Sequence, residues 1–258
     1  MTVTFFNYLE LMEFKMKSIK YLPIVCALLA ASAAADTQWG VGLAAISSNE
    51  GYVDVSAETN VVPALFIQTE NFQLLGPMIS YKLFESGDFK MAFKGQYRFD
   101  GYEEDDGDIF KGMEERKGAF DVGFEFGYET GLGDFSFSLL TDATSEHEGY
   151  ELSASYSKPY RMENGVIAPY ISVSNLSEDL VDYYYGVRRN EVSSTRAFYQ
   201  GDSATNVEIG VNSQWMYSGK HMIVANASYT QFGSAIKDSP LIDESGSFQV
   251  ILGYVYAF

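Results

Sequence analysis

The sequence is poor in the residues that build disulfide frameworks, zinc sites and nucleic-acid interfaces. Among 258 residues it has one cysteine, two histidines and 17 Lys or Arg against 35 Asp or Glu, a formal net charge of −18. A single cysteine excludes an internal disulfide, and so few Cys and His ligands argue against a structural zinc site. A chain this acidic is repelled by phosphate backbones, so we expect it not to bind nucleic acid.

Aromatic residues and glycine are abundant instead. The chain contains 19 Tyr, 19 Phe and 23 Gly, and aromatic residues make up 16% of it. This composition is unusual for a soluble enzyme. It favours an all-β architecture.

The N-terminal residues have the composition of an export signal. Lys15, Lys17 and Lys20 precede a run of mainly apolar and small residues from Tyr21 to Ala35. At 15 residues this run is shorter than the ~20 residues that a membrane-spanning helix needs. We therefore predict a secretory signal peptide rather than a membrane anchor.

The signal peptide divides the chain into two predicted parts. Ala33 and Ala35 form the A-x-A cleavage motif, so cleavage is expected after Ala35. An ordinary signal peptide could also start at Met16. Residues 1–35 are then the signal region, and residues 36–258 are predicted to form a single β-domain.

One segment shows the pattern that dominates the second part. From Ala119 to Tyr128, apolar residues, most of them aromatic, alternate with small or acidic ones. Such alternation predicts a β-strand with one apolar face. The pattern recurs in residues 89–99, 150–156 and 207–217. Strands of ~10 to 12 residues exceed the ~5 to 6 usual in soluble sheets and suit a tilted membrane-spanning strand.

The C-terminus favours a membrane barrel over a soluble sandwich. The last eleven residues place apolar or aromatic side chains at every second position and end in Phe258. A final strand of this kind resembles the sorting signal of bacterial outer-membrane barrels. We therefore predict Tyr254, Tyr256 and Phe258 as barrel-sorting residues and the bacterial outer membrane as the location.

The spacing of the strands predicts the topology. Long connections alternate with short ones, as in barrels with short periplasmic turns and long extracellular loops. The pattern yields eleven strands, and an even number requires either a short strand near 51–57 or the fusion of two early segments. We predict an all-β fold, a single transmembrane antiparallel β-barrel of 10–12 strands, with 12 favoured.

Several segments resemble the MltA-interacting protein/OmpV family of outer-membrane proteins. They are Gly112-Met113-Glu114-Glu115-Arg116, Asp182-Tyr183-Tyr184-Tyr185-Gly186-Val187, Lys237-Asp238-Ser239-Pro240-Leu241 and the terminal Gly253-Tyr254-x-Tyr256-x-Phe258. The resemblance implies a non-enzymatic barrel without a cofactor. It also implies a scaffold in the cell envelope, with a lytic transglycosylase and a murein synthase as partners. From the barrel itself we expect contact with outer-membrane lipid and lipopolysaccharide.

A set of charged residues is predicted to line the lumen. Lys90, Lys94 and Arg98 lie on the polar face of one strand, and Asp121 and Glu125 lie on the polar face of the next. Opposed charges across an antiparallel pair stabilise it. The set is either a structural ladder or the constriction of a small-solute, weakly cation-selective channel, which is the alternative function.

The other chemistry-bearing residues give weak signals. The acidic cluster Glu103, Glu104, Asp105, Asp106 and Asp108 could bind a divalent cation, although most charge runs are solvated loops. His147 lies among carboxylates in a predicted loop, but no supporting protease motif accompanies it. We predict no catalytic residue. The loop from Asp182 to Ser203 could fold inward as a plug or form an exposed surface.

Overall fold

The computed structural model describes residues 37–258 of the chain. The predicted signal peptide, with Met16, Ala33 and Ala35, lies outside these residues. Thirteen β-segments dominate the described part. They are β1 (Gln38–Asn49), β2 (Glu58–Gln68), β3 (Phe72–Leu75), β4 (Met78–Ser86), β5 (Phe89–Arg98), β6 (Ala119–Glu129), β7 (Asp134–Asp142), β8 (Tyr150–Ser157), β9 (Tyr160–Met162), β10 (Gly165–Leu176), β11 (Ala204–Tyr217), β12 (His221–Gln231) and β13 (Gly246–Ala257).

The segments form one closed antiparallel sheet. The first strand closes the ring by pairing with the last, from Gly40 opposite Ala257 to Asn49 opposite Phe248. β8 and β9 both pair with β10, and Pro159 lies in the break between them, so they form one interrupted barrel strand. A proline removes a ladder donor, which explains the interruption. The barrel therefore has 12 strands, which confirms the favoured number.

The twelfth strand is not the one that the sequence suggested. Residues 51–57 are a loop in which Tyr52 makes an isolated bridge to Ile242, so the proposed strand there is wrong. The additional strand arises from residues 72–83, which count as one strand among the eleven predicted from the sequence. They belong to two strands, β3 and β4, joined by a tight turn at Gly76 and Pro77. Gly76 has φ +56°, a left-handed conformation that glycine adopts without strain.

Alternation along the strands separates two faces. Outward side chains are apolar and exposed, as for Leu43, Val61, Phe124 and Leu252. Their neighbours in sequence point into the lumen, because successive side chains of a strand face opposite ways. The apolar outer face is the face that a bilayer contacts.

The two ends of the barrel differ. At one end, which we call the loop end, the connections are residues 50–57, 76–77, 99–118, 143–149, 177–203 and 232–245. At the other, the turn end, they are residues 69–71, 87–88, 130–133, 163–164 and 218–220. Helix α1 (Glu178–Tyr185) and helix α2 (Ser234–Lys237) both lie at the loop end. In residues 37–258, no helix is long and apolar enough to cross a membrane.

Candidate functional site

The long loops pack together into one structure at the loop end, which we call the loop cap. Its core contains buried side chains from four of the loops. They are Tyr52, Tyr102, Ile109, Phe110, Met113, Leu180, Val181, Tyr184, Val187, Ile236, Leu241 and Ile242. The cap therefore has a hydrophobic core of its own, which independent flexible loops would lack.

Helix α1 supplies the central part of this core. Ser177 caps the helix by accepting a hydrogen bond from the Leu180 amide, and Glu178 and Asp179 occupy the first turn, where the helix dipole favours acidic residues. Leu180 and Tyr184, four residues apart on one helix face, are both almost completely buried. The loop 177–203 is thus packed into the cap by part of its side chains, whereas Phe198 in the same loop is 44% exposed.

A buried ion pair joins two of the loops. Arg116 donates to both carboxylate oxygens of Glu191 at 2.9 and 3.0 Å, and its Nε donates to the Tyr183 carbonyl at 2.8 Å. Both side chains are about 1% exposed. Burial opposes ionisation of Glu191, but the Arg188 and Glu114 amides and the Arg116 guanidinium together hold its pKa below the usual value.

A second buried arginine ties the same loops through their backbones. Arg196 donates from Nε to the Glu191 carbonyl at 3.0 Å and from Nη2 to the Lys111 carbonyl at 3.1 Å. Its Nη1 also donates to the carbonyl of Ile109. Because these donors end on carbonyl groups, Arg196 acts as a cross-link between loops 99–118 and 177–203.

The loop before the last strand is joined to the cap by hydroxyl groups. Ser239 donates to the Tyr185 carbonyl at 2.6 Å, and Tyr199 donates to the Ala235 carbonyl at 2.6 Å. The Val53 amide donates to the Leu241 carbonyl at 2.9 Å. The segments around Arg116, Tyr184 and Ser239, which are far apart in sequence, therefore meet in one place.

Below the cap, the charged residues of β5 and β6 face one another across the ladder. Lys94 Nζ lies 3.0 Å from Glu125, and Lys90 Nζ lies 2.5 Å from Glu129. Glu129 was not among the residues considered from the sequence. These pairs lie on the inner face, opposite in direction to the exposed Phe124.

Arg98 is the centre of a larger group. Its guanidinium lies 2.9 Å from Asp121, 2.6 Å from Glu151 and 3.0 Å from Asp100. One cation therefore faces three carboxylates. Glu151, which lies on β8 and is separated from β5 by the two strands β6 and β7, could not be assigned to this group from sequence spacing.

His147 completes the group by a hydrogen bond to Asp121. Its Nε2 lies 3.0 Å from Asp121 Oδ1, while its Nδ1 accepts the Gly149 amide at 3.0 Å. Among residues 37–258, Asp121, Asp142 and His147 are the group of three whose ligand atoms lie within 4.8 Å of one another. Asp142 already accepts the amides of His147 and Glu148, and Asp121 accepts Arg98. The donors present satisfy this group without a metal.

The acidic loop residues have separate partners. Asp106 accepts the Glu103 amide at 2.7 Å, Glu104 accepts the Gly112 amide at 2.8 Å, and Asp108 pairs with Lys111 at 2.6 Å. Glu103 and Asp105 are exposed. Three of these carboxylates therefore have separate hydrogen-bond or ion-pair partners within the loop, and the cluster does not converge on one cation site.

Glu50 is a functional candidate that the sequence did not indicate. It follows β1 directly at the loop end. Burial, reinforced by the charges of Asp100, Glu58 and Asp106, raises the pKa of the Glu50 carboxyl to about 8. The Glu50 carboxyl is therefore largely protonated at neutral pH.

The C-terminal residues lie at the turn end. The ring of Phe258 stacks on Trp39 at 4.4 Å, and its amide donates to the Trp39 carbonyl at 2.8 Å. Tyr256 contacts Phe258 edge-on at 5.0 Å, and Tyr254 lies 2.7 Å from His221 Nδ1. The predicted sorting residues therefore belong to an aromatic cluster where the barrel closes.

The turn end also contains an open cleft of ≈ 370 Å³. It is lined by Asp88, Glu129, Thr130, Gly131, Gly133, Asp134, Lys158, Pro159 and Arg161. It lies beside the break between β8 and β9, where β7 has ended opposite Ser157 and β9 continues alone along β10. The cleft and the projecting β9–β10 hairpin give this end more surface than tight turns alone would.

Comparison with known proteins identifies the family. The family model "MltA-interacting protein MipA" matches residues 40–258. The MltA-interacting protein of Escherichia coli K12 is 24% identical over 243 residues, which cover 92% of this chain and 97% of that protein. Outer membrane protein Omp26La of Vibrio anguillarum is 26% identical over 157 residues. That match spans about 61% of the length of each chain.

The comparison with solved structures matches outer-membrane barrels at low identity and low TM-score. The translocator domain of autotransporter NalP from Neisseria meningitidis is 12% identical, covers 92% of this chain and 93% of its own, and has a TM-score of 0.41. The relatives are named as outer-membrane proteins, and the barrel presents an apolar outer face, so the protein is located in the bacterial outer membrane. The chain belongs to the MltA-interacting protein MipA family of outer-membrane β-barrels.

Proposed function

We propose that the protein is a non-enzymatic scaffold of the cell envelope that holds a periplasmic partner on its turn end. The observation that carries this proposal is the cleft beside the β9–β10 hairpin. It is a concave surface that carries charges of both signs. Lys158 and Arg161 supply the positive charges, and Asp88 and Asp134 supply the negative ones. Tight turns without such a surface would offer a partner little to bind.

An apolar side chain beside the cleft provides the second element of a binding surface. Leu132, which lies between the cleft-lining Gly131 and Gly133, is 78% exposed. Protein interfaces combine apolar anchors with a polar rim. Leu132 and the charged cleft together have that composition.

The family resemblance indicates which partners to test. One relative is named for its interaction with MltA, and the resemblance implies a lytic transglycosylase and a murein synthase as partners. Lipid and lipopolysaccharide contact the apolar outer face and the acidic loop end in this proposal. No catalytic step is proposed, because His147 and its partners are engaged in structural hydrogen bonds.

The experiment is a pull-down with the folded barrel as bait. Arg161→Glu reverses a charge in the cleft, and Lys220→Glu makes the same change in a different turn of the same end as the matched control. We expect the parent and the Lys220 variant to retain the transglycosylase and the synthase, and the Arg161 variant to lose them. Equal retention by all three proteins, or by none, would contradict the proposal.

A passive channel is the second candidate, and the charged inner wall favours it. Lys90, Lys94 and Arg98 with their carboxylates resemble the charged rings that select ions in pores. The packed loop cap opposes this function because it places a hydrophobic core over the lumen. Single-channel recording in a planar bilayer distinguishes the two: cation-selective steps that lose selectivity at high salt would support the channel.

A further inference from the structure

The cleft at the turn end adjoins a position of the sheet that β7 leaves vacant. β8 and β9 pair along β10 without a register shift, although Pro159 interrupts the hydrogen bonding between them. On the other side of β8, β7 begins at Asp134, opposite Ser157. Within residues 37–258, no strand pairs with β9 on that side. β9 therefore has one free edge, and residues of this edge line the cleft.

The free edge presents the backbone of Arg161. The Lys158 amide donates to the Pro169 carbonyl of β10 at 3.0 Å. Successive residues of an antiparallel strand direct their backbone groups to opposite edges. Arg161 lies three residues further on, so its N–H and C=O groups face away from β10, together with the carbonyl of Pro159. The described sheet does not use these groups, and one residue of an added strand can bond to both groups of Arg161.

The side chains of β9 define what the added residues would carry. Arg161 shares its face of the strand with Glu151, which contacts Arg98 in the lumen. Among residues 37–258, the ion pairs do not include Arg161. On the other face, Tyr160 and Met162 are 55% and 47% exposed. Because residues directly opposite one another share a face, an acidic residue fits opposite Arg161 and apolar residues fit on either side of it.

The cleft provides the space for such a strand. The turn 130–133, which contributes to its lining, is closed on itself, because Thr130 and Gly133 exchange backbone hydrogen bonds at 3.0 and 3.2 Å. This turn therefore does not compete for the edge of β9. Since β7 begins in line with the vacant position, an added segment pairs over the three residues of β9 and then leaves the sheet.

We propose that β9 binds an extended segment of a periplasmic protein, antiparallel to β9, in which an acidic residue lies between two apolar ones. The acidic residue bonds to both backbone groups of Arg161 and pairs with its guanidinium. The residue before it lies opposite Met162, and the residue after it lies opposite Tyr160. In strand addition, main-chain bonds supply affinity and alternate side chains supply specificity. The proposal rests on the scaffold function and names the kind of segment that the partner contributes.

Disulfide trapping of synthetic peptides tests the register and the direction of this pairing. Residues 37–258 contain no cysteine, so in a Cys26→Ser background the folded barrel carries one introduced cysteine, Tyr160→Cys or Met162→Cys. One peptide is Thr-Val-Glu-Cys-Thr, with the cysteine after the glutamate, and the other is Thr-Cys-Glu-Val-Thr, with the cysteine before it. Residues 160 and 162 would form non-hydrogen-bonded pairs with the peptide, in which side chains lie closest.

We expect Tyr160→Cys to trap the peptide with the later cysteine and Met162→Cys to trap the peptide with the earlier one. Lys220→Cys, in another turn of the same end, is the control and should trap neither peptide. The reverse preference would mean parallel addition, and equal trapping of both peptides at each position would mean undirected collision. Either result would overturn the proposal.

Two variants of Arg161, each made with Tyr160→Cys, separate the charge from the backbone donor. Arg161→Gln keeps the N–H group and should lower the trapped fraction about twofold, because a partly exposed charge contact is lost. Arg161→Pro also removes the N–H group and should lower it about tenfold. Proline is compatible with the fold here because this N–H group faces away from β10. Equal trapping by the two variants would contradict a main-chain bond.

A modified peptide replaces Arg161→Pro if that variant does not form a heat-modifiable barrel. Methylation of the glutamate nitrogen removes the donor to the Arg161 carbonyl and should lower trapping about fivefold. The pull-down with the folded barrel distinguishes this inference from the scaffold proposal. Partners retained while both peptides stay untrapped would overturn strand addition and leave the scaffold. Peptides trapped in the expected register with an empty pull-down would support strand addition and reject the partners tested.

Discussion

Replacing Arg116 by methionine should open the loop cap while leaving the barrel intact. The substitution removes the two hydrogen bonds to Glu191 and those to the carbonyls of Tyr183 and Glu114. Methionine keeps most of the side-chain length, so the main change is the loss of the charge and its donors. Glu191 is then buried with only the amides of Glu114 and Arg188 as partners.

The size of the effect follows from the burial of the pair. Removing one partner of a buried ion pair costs ~3 to 5 kcal/mol of stability, because the charge of the other partner stays buried without a counter-charge. The cost falls on the cap, since the barrel ladders are not involved. Replacing both partners at once, as in Arg116→Met with Glu191→Leu, should recover most of that loss, because a buried ion pair replaced by apolar side chains is often neutral.

Hydrogen exchange of the cap amides measures this directly. We expect the Arg116 single variant to lose protection in loops 99–118 and 177–203 by ~2 to 4 orders of magnitude, and the double variant to lose much less. Amides of β11 and β12 serve as the internal control and should keep their protection. Unchanged protection of the two loops in the single variant would refute the view that the pair holds the cap together.

Three further predictions test orientation, face assignment and pH dependence. A cysteine at Asp105 should react with a membrane-impermeant maleimide on intact cells and one at Asn164 should not; labelling of Asn164 alone would reverse the orientation. Phe124→Arg, on the lipid face, should cost ~2 to 4 kcal/mol of barrel stability in an unfolding titration. Glu125→Gln, in a partly exposed lumen pair, should cost ~0 to 1 kcal/mol. A larger loss of stability for the Glu125 variant than for the Phe124 variant would contradict the assigned faces. The raised pKa of Glu50, about 8 against an ordinary 4.5, means that the folded protein binds the extra proton, so this group removes stability as pH rises from 4.5 to 8. Glu50→Gln should therefore raise the melting temperature at about pH 9 and leave it unchanged at about pH 4; no gain at the higher pH would contradict the shifted pKa.

The barrel was predictable because its signal is local. Alternation from Ala119 to Tyr128 requires no knowledge of the rest of the chain, and it correctly indicated a strand with one lipid-facing side. The β3–β4 turn was missed for the same reason. Apolar residues continue on both sides of Gly76 and Pro77, so a composition pattern cannot distinguish one strand from two short ones.

The cap and the cleft were not predictable because they depend on distant contacts. Arg116 and Glu191 are 75 residues apart, and neither belongs to a periodic pattern that would bring them together. The charged pairs between β5 and β6 could be predicted from the sequence, because these two strands are adjacent in the chain. Glu151 could not be predicted as a partner of Arg98, because it lies on β8. Three of the four family segments, those around Arg116, Tyr184 and Ser239, were recognisable one by one, while their meeting in the cap was not.

Closure of the ring by its first and last strands has a consequence for biogenesis. Gly40 pairs with Ala257, so the barrel cannot close until the C-terminal strand has been delivered. The bonds from Ser239 to Tyr185 and from Val53 to Leu241 likewise require the final hairpin. Contacts between residues so far apart in sequence form slowly, because each carries a large loop-closure entropy. Folding intermediates of this chain will therefore carry open strand edges until the last strand pairs, and such edges are templates for aggregation.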